Sequence, residues 1–115
     1  MTPEGISSLM DCAKQYLLEK EISPVRTNKV LLAIEESQME EVKKNPNAEQ
    51  QKIECTIFVE DRITLILRNT GVPNNPFEGG ENTKNIDPIR LLILSSMKHK
   101  SHILVNGSNR LIFKF

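Results

Sequence analysis

Two glutamates, Glu36 and Glu40, stand four residues apart in a stretch whose apolar residues recur with helical spacing. A four-residue step places both carboxylates on one face of a helix. Two carboxylates on one face can serve acid–base chemistry or bind a hard cation such as Mg²⁺. The competing interpretation is a solvated acidic face, helped by Lys43 and Lys44 nearby. The spacing alone leaves both interpretations open.

A second polar group, Asn69 and Gly71, follows an alternating apolar segment that stops abruptly. Residues 69–86 are dense in Gly, Pro and Asn, and so long a loop in a small domain is usually either a functional lid at the rim of a small-molecule pocket or a disordered segment. Asn and Gly are also what any tight turn after a strand requires. Pocket chemistry and simple turn chemistry are therefore both open at these two residues.

The histidines and cysteines offer little further chemistry. His99 and His102 stand near two lysines, which would suit a phosphate or a metal, but no acidic or cysteine residue is spaced with them. We expect two surface histidines. Cys12 and Cys55 are far apart and form no CxxC pair, which favours neither a zinc site nor a disulfide framework. We expect both thiols to be small buried groups in a reducing compartment.

Two helices are predicted to come first. Thr2-Pro3 marks a capped helix start, and an apolar stripe continues from there to about Lys20. Ser23-Pro24 repeats the signal for a second helix from Val25 towards Lys43. The first half of this second helix is apolar and the second half is crowded with glutamates. Its later turns should therefore face water or a polar cleft.

The period of the apolar residues changes to two after Lys52, which predicts two strands joined by a turn at Glu60-Asp61. One face of the pair carries Ile53, Cys55, Ile57, Val59, Ile63, Leu65 and Leu67. The opposite face carries Thr56, Phe58, Thr64 and Ile66, and it is more apolar than solvent exposure requires. That second face is a candidate surface for a partner protein or a dimer.

The last part of the chain predicts one helix and one hairpin. Asp87-Pro88 opens a helix that is apolar nearly all round as far as Met97, which is typical of a helix buried between layers. Segments 101–105 and 109–115 flank an Asn-Gly hairpin turn. The element order is α-α-β-β-α-β-β. It predicts an α+β two-layer sandwich with helices on one face of a mainly antiparallel sheet.

Length and charge exclude several classes of function. A chain of 115 residues favours one domain, residues 1–115. Fifteen basic and fifteen acidic side chains cancel, so the basic footprint of a nucleic-acid-binding protein is missing. The longest apolar run falls far short of the roughly 18 residues that a membrane span needs. With no targeting signal at the start, we expect a soluble cytoplasmic protein.

The order of elements and three local strings resemble the Bergerat-fold (GHKL) ATPases, the superfamily of histidine kinases, Hsp90-like ATPases and bacterial anti-sigma-factor serine kinases. The resemblance is to the small anti-sigma type and covers nearly the whole chain. Residues 32–40 (LAIEESQME) stand where the family has its N box, and residues 69–76 (NTGVPNNP) stand where it has an Asp-x-Gly strand end. Residues 106–113 (NGSNRLIF) resemble its last hairpin.

The resemblance implies a site for ATP and Mg²⁺. Glu40 matches the N-box Asn that binds Mg²⁺, and Glu36 would lie near the phosphates as the catalytic residue of an active member. Asn69 matches the Asp that accepts a hydrogen bond from the adenine amino group. Gly71 lets the base approach the backbone closely. Implied partners are a sigma factor or an anti-anti-sigma protein, and a homodimer is a further expectation.

Three of the matched positions depart from the family pattern. Glu40 replaces an Asn, and Asn69 replaces an Asp whose charge-assisted bond would be roughly twice as strong. Asp87-Pro88 replaces the glycine-rich helix entry that holds phosphate, and the Asp87 carboxylate would repel phosphate there. We therefore expect a degenerate member, without enzymatic activity, that acts as a regulatory or interaction module. The alternative is a working ATP-dependent serine protein kinase.

Overall fold

The structure is a computed structural model that describes residues 2–44, 52–70, 97 and 99–115. Within these ranges two helices are followed by four strands. The elements are α1 (Pro3–Glu19), α2 (Pro24–Lys44), β1 (Ile53–Val59), β2 (Ile63–Asn69), β3 (His99–Val105) and β4 (Ser108–Lys114). The predicted third helix and the lid-like loop fall outside the described residues, apart from Asn69, Thr70 and Met97.

Helix α1 begins as its sequence predicts. Thr2 is the N-cap, and its Oγ1 accepts a hydrogen bond from the backbone N–H of Gly5 at 3.0 Å. Pro3 takes the first position, where a missing N–H costs nothing. The helix ends before Lys20, and the next residue, Glu21, has a φ of 61° that turns the chain out of the helix. Its buried face consists of Ile6, Ala13 and Leu17.

Helix α2 begins at Pro24, and the Oγ of Ser23 accepts a hydrogen bond from the N–H of Arg26 at 3.3 Å. The predicted span from Val25 to Lys43 is confirmed. The buried side chains of α2 change character along the helix. The first ones are mostly apolar, and the later ones are all polar: Thr27, Val30, Ala33 and Ile34, then Ser37, Gln38, Glu40 and Glu41.

The four strands form one antiparallel sheet in the order β1-β2-β4-β3. Both predicted hairpins are confirmed, β1 with β2 and β3 with β4. The second hairpin turns at Asn106 and Gly107, whose φ angles are 52° and 79°. Two consecutive left-handed residues match the right-handed twist of the flanking strands, which is why Asn-Gly suits this turn. The central strands, β2 and β4, pair directly although they are not consecutive in the sequence.

The two helices pack on one face of the sheet, so the predicted α+β class with helices on an antiparallel sheet is confirmed. The buried apolar core joins both layers. Its members are Ile6, Ala13, Leu17, Val30, Ala33, Ile34, Ile63, Leu65, Leu67, Leu111 and Phe113. Neither α1 nor α2 is both long enough and apolar enough to cross a membrane.

Candidate functional site

A group of buried polar side chains lies at the end of the sheet where β2 finishes and β4 begins. Asn69 is the last residue of β2, and Asn109 is its direct partner on β4. Both side chains are almost inaccessible, at 3% and 1% exposed. The polar half of α2 covers them, with Gln38 fully buried. Here the layered core changes from apolar to polar packing.

Five of these side chains are joined by hydrogen bonds, and we call them the polar chain: His102, Asn109, Asn69, Gln38 and Ser37. His102 Nε2 lies 2.8 Å from Asn109 Oδ1. Asn109 Nδ2 donates to Asn69 Oδ1 at 3.1 Å. Asn69 Nδ2 donates to Gln38 Oε1 at 3.4 Å, and Gln38 Nε2 donates to Ser37 Oγ at 3.1 Å. The polar chain thus ties α2 to three strands.

All of these bonds run in the same direction. An amide oxygen can only accept a hydrogen bond, so the contact with Asn109 requires that His102 Nε2 carries a proton. At the other end, Ser37 Oγ donates to the backbone carbonyl of Ala33 at 2.6 Å. Each amide therefore donates to the next residue and accepts from the one before it. Bonds aligned in this way polarise one another and resist rearrangement.

Glu40 and Glu36 lie on successive turns beside the polar chain. The Glu40 side chain is only 1% exposed and that of Glu36 is half-buried. The alternative of a solvated acidic face is therefore wrong for Glu40, and the later turns of α2 bury polar side chains. Burying a carboxylate is costly unless polar groups compensate for the lost water. Within the described ranges, no three acidic, histidine or cysteine side chains form a group that could hold a metal ion.

The predicted nucleotide site is only partly described. Asn69 is bonded to Gln38, which stands between Glu36 and Glu40 in the sequence of α2. Gly71 and Asp87 fall outside the described residues, as does nearly all of the loop 69–86. Asn69 is more than a turn residue, because its amide is bonded within the protein on both sides.

The two histidines differ from each other. His99 is exposed, as predicted. The prediction of a surface residue is wrong for His102, which is half-buried and bonded to Asn109. His102 pairs with Leu111 across β3 and β4, so its side chain shares the face of the sheet that carries the core. The alternation of side chains between the two faces of β3 therefore places His102 on the helix-facing side.

The two cysteines also differ. Cys12 is exposed, so the prediction that it is buried is wrong. It lies off the stripe that α1 buries. Cys55 is half-buried, and loss of hydration raises the pKa of its thiol from 9.0 to about 11. A thiol with so high a pKa is almost entirely protonated at neutral pH and makes a poor nucleophile.

Sequence reasoning missed Gln38, Asn109 and His102 as members of a site. A signal for Asn109 was present, because it continues the alternation of Leu111 and Phe113 on the core face of β4. Asn69 continues Leu65 and Leu67 in the same way on β2. Polar residues at the end of two core-facing alternations indicate a polar region in the core. A signal for Gln38 was also present, because it stands four residues after Ile34 and eight after Val30, on the buried stripe of α2.

The polar chain presents amide, hydroxyl and imidazole donors and acceptors, and its amides contain no nucleophile. Its chemistry is that of an ordered hydrogen-bond network which fixes the position of α2 over the sheet. Comparison of the chain with protein-family models, with curated proteins and with solved structures finds no match. The resemblance to the Bergerat-fold ATPases therefore stays a prediction.

Proposed function

We propose that this chain is a degenerate relative of the anti-sigma-type ATPases that binds ATP weakly or not at all and acts as a regulatory or protein-interaction module. The observation that carries the proposal is the state of Asn69. Its side chain is 3% exposed, Asn109 donates to its oxygen, and its nitrogen donates to Gln38. An amide held in this way points its polar atoms into the protein rather than towards a base.

Glu40 supports the same conclusion. It matches the Mg²⁺-binding position of the resemblance, yet its side chain is 1% exposed. An ion that carries a nucleotide usually keeps several waters and so needs open space beside its carboxylate ligand. The sequence supports the proposal too, because Asp87-Pro88 stands where the family binds phosphate and the Asp87 carboxylate would repel it. The module would work in the cytoplasm on a protein partner, a sigma factor or an anti-anti-sigma protein by resemblance.

The outer face of the sheet, opposite the helices, is the surface we propose for such a partner. Phe58 is 50% exposed and Ile103 is 43% exposed on this face, with Ile66 and Ile112 half-buried between them. Neighbouring register pairs bring these side chains together across all four strands. A contiguous exposed apolar patch is typical of a surface that binds another molecule.

The second candidate is a working ATP-dependent serine kinase. The observation that favours it is that Asn69 is bonded to Gln38, between Glu36 and Glu40 in the sequence, and that Glu40 is buried rather than exposed to solvent. In this candidate Glu40 holds Mg²⁺, Glu36 lies near the phosphates, and Asn69 and Gly71 receive the adenine.

Titration calorimetry with ATP and Mg²⁺ separates the two candidates. We expect no binding tighter than a dissociation constant of about 100 μM, which corresponds to roughly 5.5 kcal/mol. Tighter binding would overturn the degenerate assignment in favour of the kinase. Hydrolysis of ATP or phosphate transfer to serine would do the same.

A restoration variant tests whether a nucleotide site has been lost. It combines Glu40→Asn and Asn69→Asp with glycines at Asp87 and Pro88. Gain of ATP binding would support an inherited site at this place. Continued absence of binding in a folded variant would count against the location itself. The matched control is Glu40→Asn alone, which restores one position and should not restore binding.

A further inference from the structure

Strand β1 is the outermost strand at one side of the described sheet. It pairs residue for residue with β2, without a bulge, and it contains no proline. Within the described part of the chain, no strand pairs with its outer edge. A regular strand with an open edge is a template for pairing with another chain.

The hydrogen-bond phase of the sheet shows which β1 residues face this open edge. Ile63 and Phe115 exchange two backbone hydrogen bonds, at 3.2 and 2.8 Å. The backbone N–H and C=O of Ile63 therefore point towards β4. The backbone N–H and C=O groups of successive residues in a strand point to opposite sides, so those of Thr64, Ile66 and Arg68 point towards β1. Their partners on β1 are Phe58, Thr56 and Glu54. The backbone N–H and C=O groups that point to the open edge of β1 therefore belong to Ile53, Cys55, Ile57 and Val59.

Among the described residues, the opposite edge strand, β3, carries a feature that protects an edge, and β1 carries none. Lys100 and His102 pair with Phe113 and Leu111 and so share the helix-facing side of the sheet. A lysine such as Lys100 on the inner face of an edge strand discourages pairing with other chains. On β1 the inner face is wholly apolar, and the single charged residue, Glu54, lies on the outer face.

A groove of about 290 Å³ runs beside β1 on its helix-facing side. Its walls are Leu9, Cys12, Ala13, Tyr16, Cys55 and Ile57. The inner residues of β1 are only half-buried, whereas those of β2 are fully buried. One more strand beyond β1 would cover this groove and complete the burial of the inner face.

We propose that β1 pairs with β1 of a second copy of this chain, antiparallel and centred on Thr56, so that two four-stranded sheets join into one. In this register Cys55 lies opposite Ile57 of the second copy, and Ile53 lies opposite Val59. Every outward-facing backbone group of β1 is then bonded. Thr56 meets its own counterpart, a favourable cross-strand pair.

Charge complementarity supports this register over its neighbours. Lys52 comes to lie opposite Glu60 of the second copy, twice by symmetry, and both side chains are exposed in the single chain. Centring on Ile57 instead would set Glu54 against Glu60 of the second copy, which is a like-charge pair. Centring on Cys55 would set Lys52 against Phe58 and leave Val59 outside the paired segment.

A cross-linking experiment tests the edge and the register together. Thr56→Cys is made in a Cys12→Ser, Cys55→Ala background. Thr56 would occupy a non-hydrogen-bonded pair, whose Cα atoms lie about 4.5 Å apart, within the range of a disulfide. We expect a disulfide-linked dimer under mild oxidation. The matched control is Ser101→Cys in the same background, on the outer face of the other edge strand, which should form no disulfide-linked dimer.

Sedimentation equilibrium tests the association without cross-linking. We expect the unaltered chain to sediment at twice the monomer mass. Thr56→Lys, which sets two lysines against each other, should raise the dissociation constant at least tenfold while the circular dichroism spectrum stays unchanged. Thr64→Lys, on the same face but on the inner strand β2, should leave it within about twofold.

Charge reversal gives a further check on the register. Glu60→Lys should weaken the dimer, and adding Lys52→Glu should restore it. A chain that is monomeric at 100 μM, or a dimer indifferent to Thr56→Lys, would overturn the proposal. The proposal does not rest on the function proposed above, since none of these measurements involves nucleotide.

Discussion

Asn109 donates a hydrogen bond to the side chain of Asn69 at 3.1 Å, directly across the pairing of β2 and β4. The two residues are 40 positions apart in the sequence, and the bond lies beneath α2 in the buried interior. It is the central link of the polar chain. It also gives Asn69 a structural task that competes with the nucleotide-binding task implied by the resemblance.

Removal of the Asn109 amide should destabilise the protein. In Asn109→Ala the buried amide of Asn69 and the half-buried ring of His102 each lose a partner, so we expect the free energy of unfolding to fall by about 1 to 3 kcal/mol. Urea denaturation measures this. The control is Ser101→Ala, an exposed site on the neighbouring strand, which should change stability by less than about 0.5 kcal/mol.

A double-mutant cycle with Asn69→Ala measures the coupling between the two amides. We expect an interaction energy of about 0.5 to 3 kcal/mol, so that the double variant is less destabilised than the sum of the single variants. Additive effects would mean that the two side chains do not act together, contrary to the observed bond.

The neutral form of His102 should carry its proton on Nε2, because this atom must donate to Asn109. Long-range ¹H–¹⁵N correlation spectra report this tautomer directly. His99, which is exposed, serves as the internal comparison. An Nδ1-protonated His102 would contradict the direction of the whole polar chain. In Asn109→Ala we expect the preference of His102 for this tautomer to weaken.

Cys55 should make stability depend on alkaline pH. Its pKa is about 11 in the folded protein against 9.0 ordinarily, so between these values the unfolded chain loses the thiol proton first. The unfolded state then binds fewer protons, and stability falls as pH rises from 9 towards 11, by on the order of 2 kcal/mol. Urea denaturation of Cys12→Ser and of Cys12→Ser/Cys55→Ala across this range should show the steeper fall in the chain that retains Cys55.

Gly107→Ala should destabilise the β3–β4 hairpin. Gly107 has a φ of 79°, a conformation that costs an alanine about 1 to 2 kcal/mol, although no neighbouring atom lies within 4 Å of the added Cβ position. Strain rather than a clash is therefore the expected cause. Thermal unfolding measures the loss, and replacement by Asn, which tolerates this region better, should recover part of it. Equal losses for Ala and Asn would contradict the backbone explanation.

Local patterns predicted most of the described fold. The caps at Thr2 and Ser23, the change of period after Lys52 and the Asn-Gly turn at 106–107 each act over a few residues, and each is found where the sequence places it. Such signals work because capping, alternation and turn geometry depend mainly on neighbouring residues.

The candidate site was harder to predict for a physical reason. Whether Glu40 meets water or the interior depends on what lies above the last turns of α2, and helical spacing carries no information about that. The same holds for His102, whose partner Asn109 is supplied by the next strand. His102 was expected at the surface and is half-buried, and for Glu40 the burial removes one of the two interpretations that the spacing left open.

The sequence by itself determined where the helices and strands begin, which of their faces are apolar, and that Asn69 ends a strand. Only the tertiary structure decided that β2 and β4 are neighbours, because pairing of non-consecutive strands depends on how distant segments share one core. That neighbourhood brings Asn69 and Asn109 together, sets Gln38 above them and makes His102 part of the interior. The polar chain is therefore a property of the folded molecule, assembled from residues whose local patterns predict only turns and surfaces.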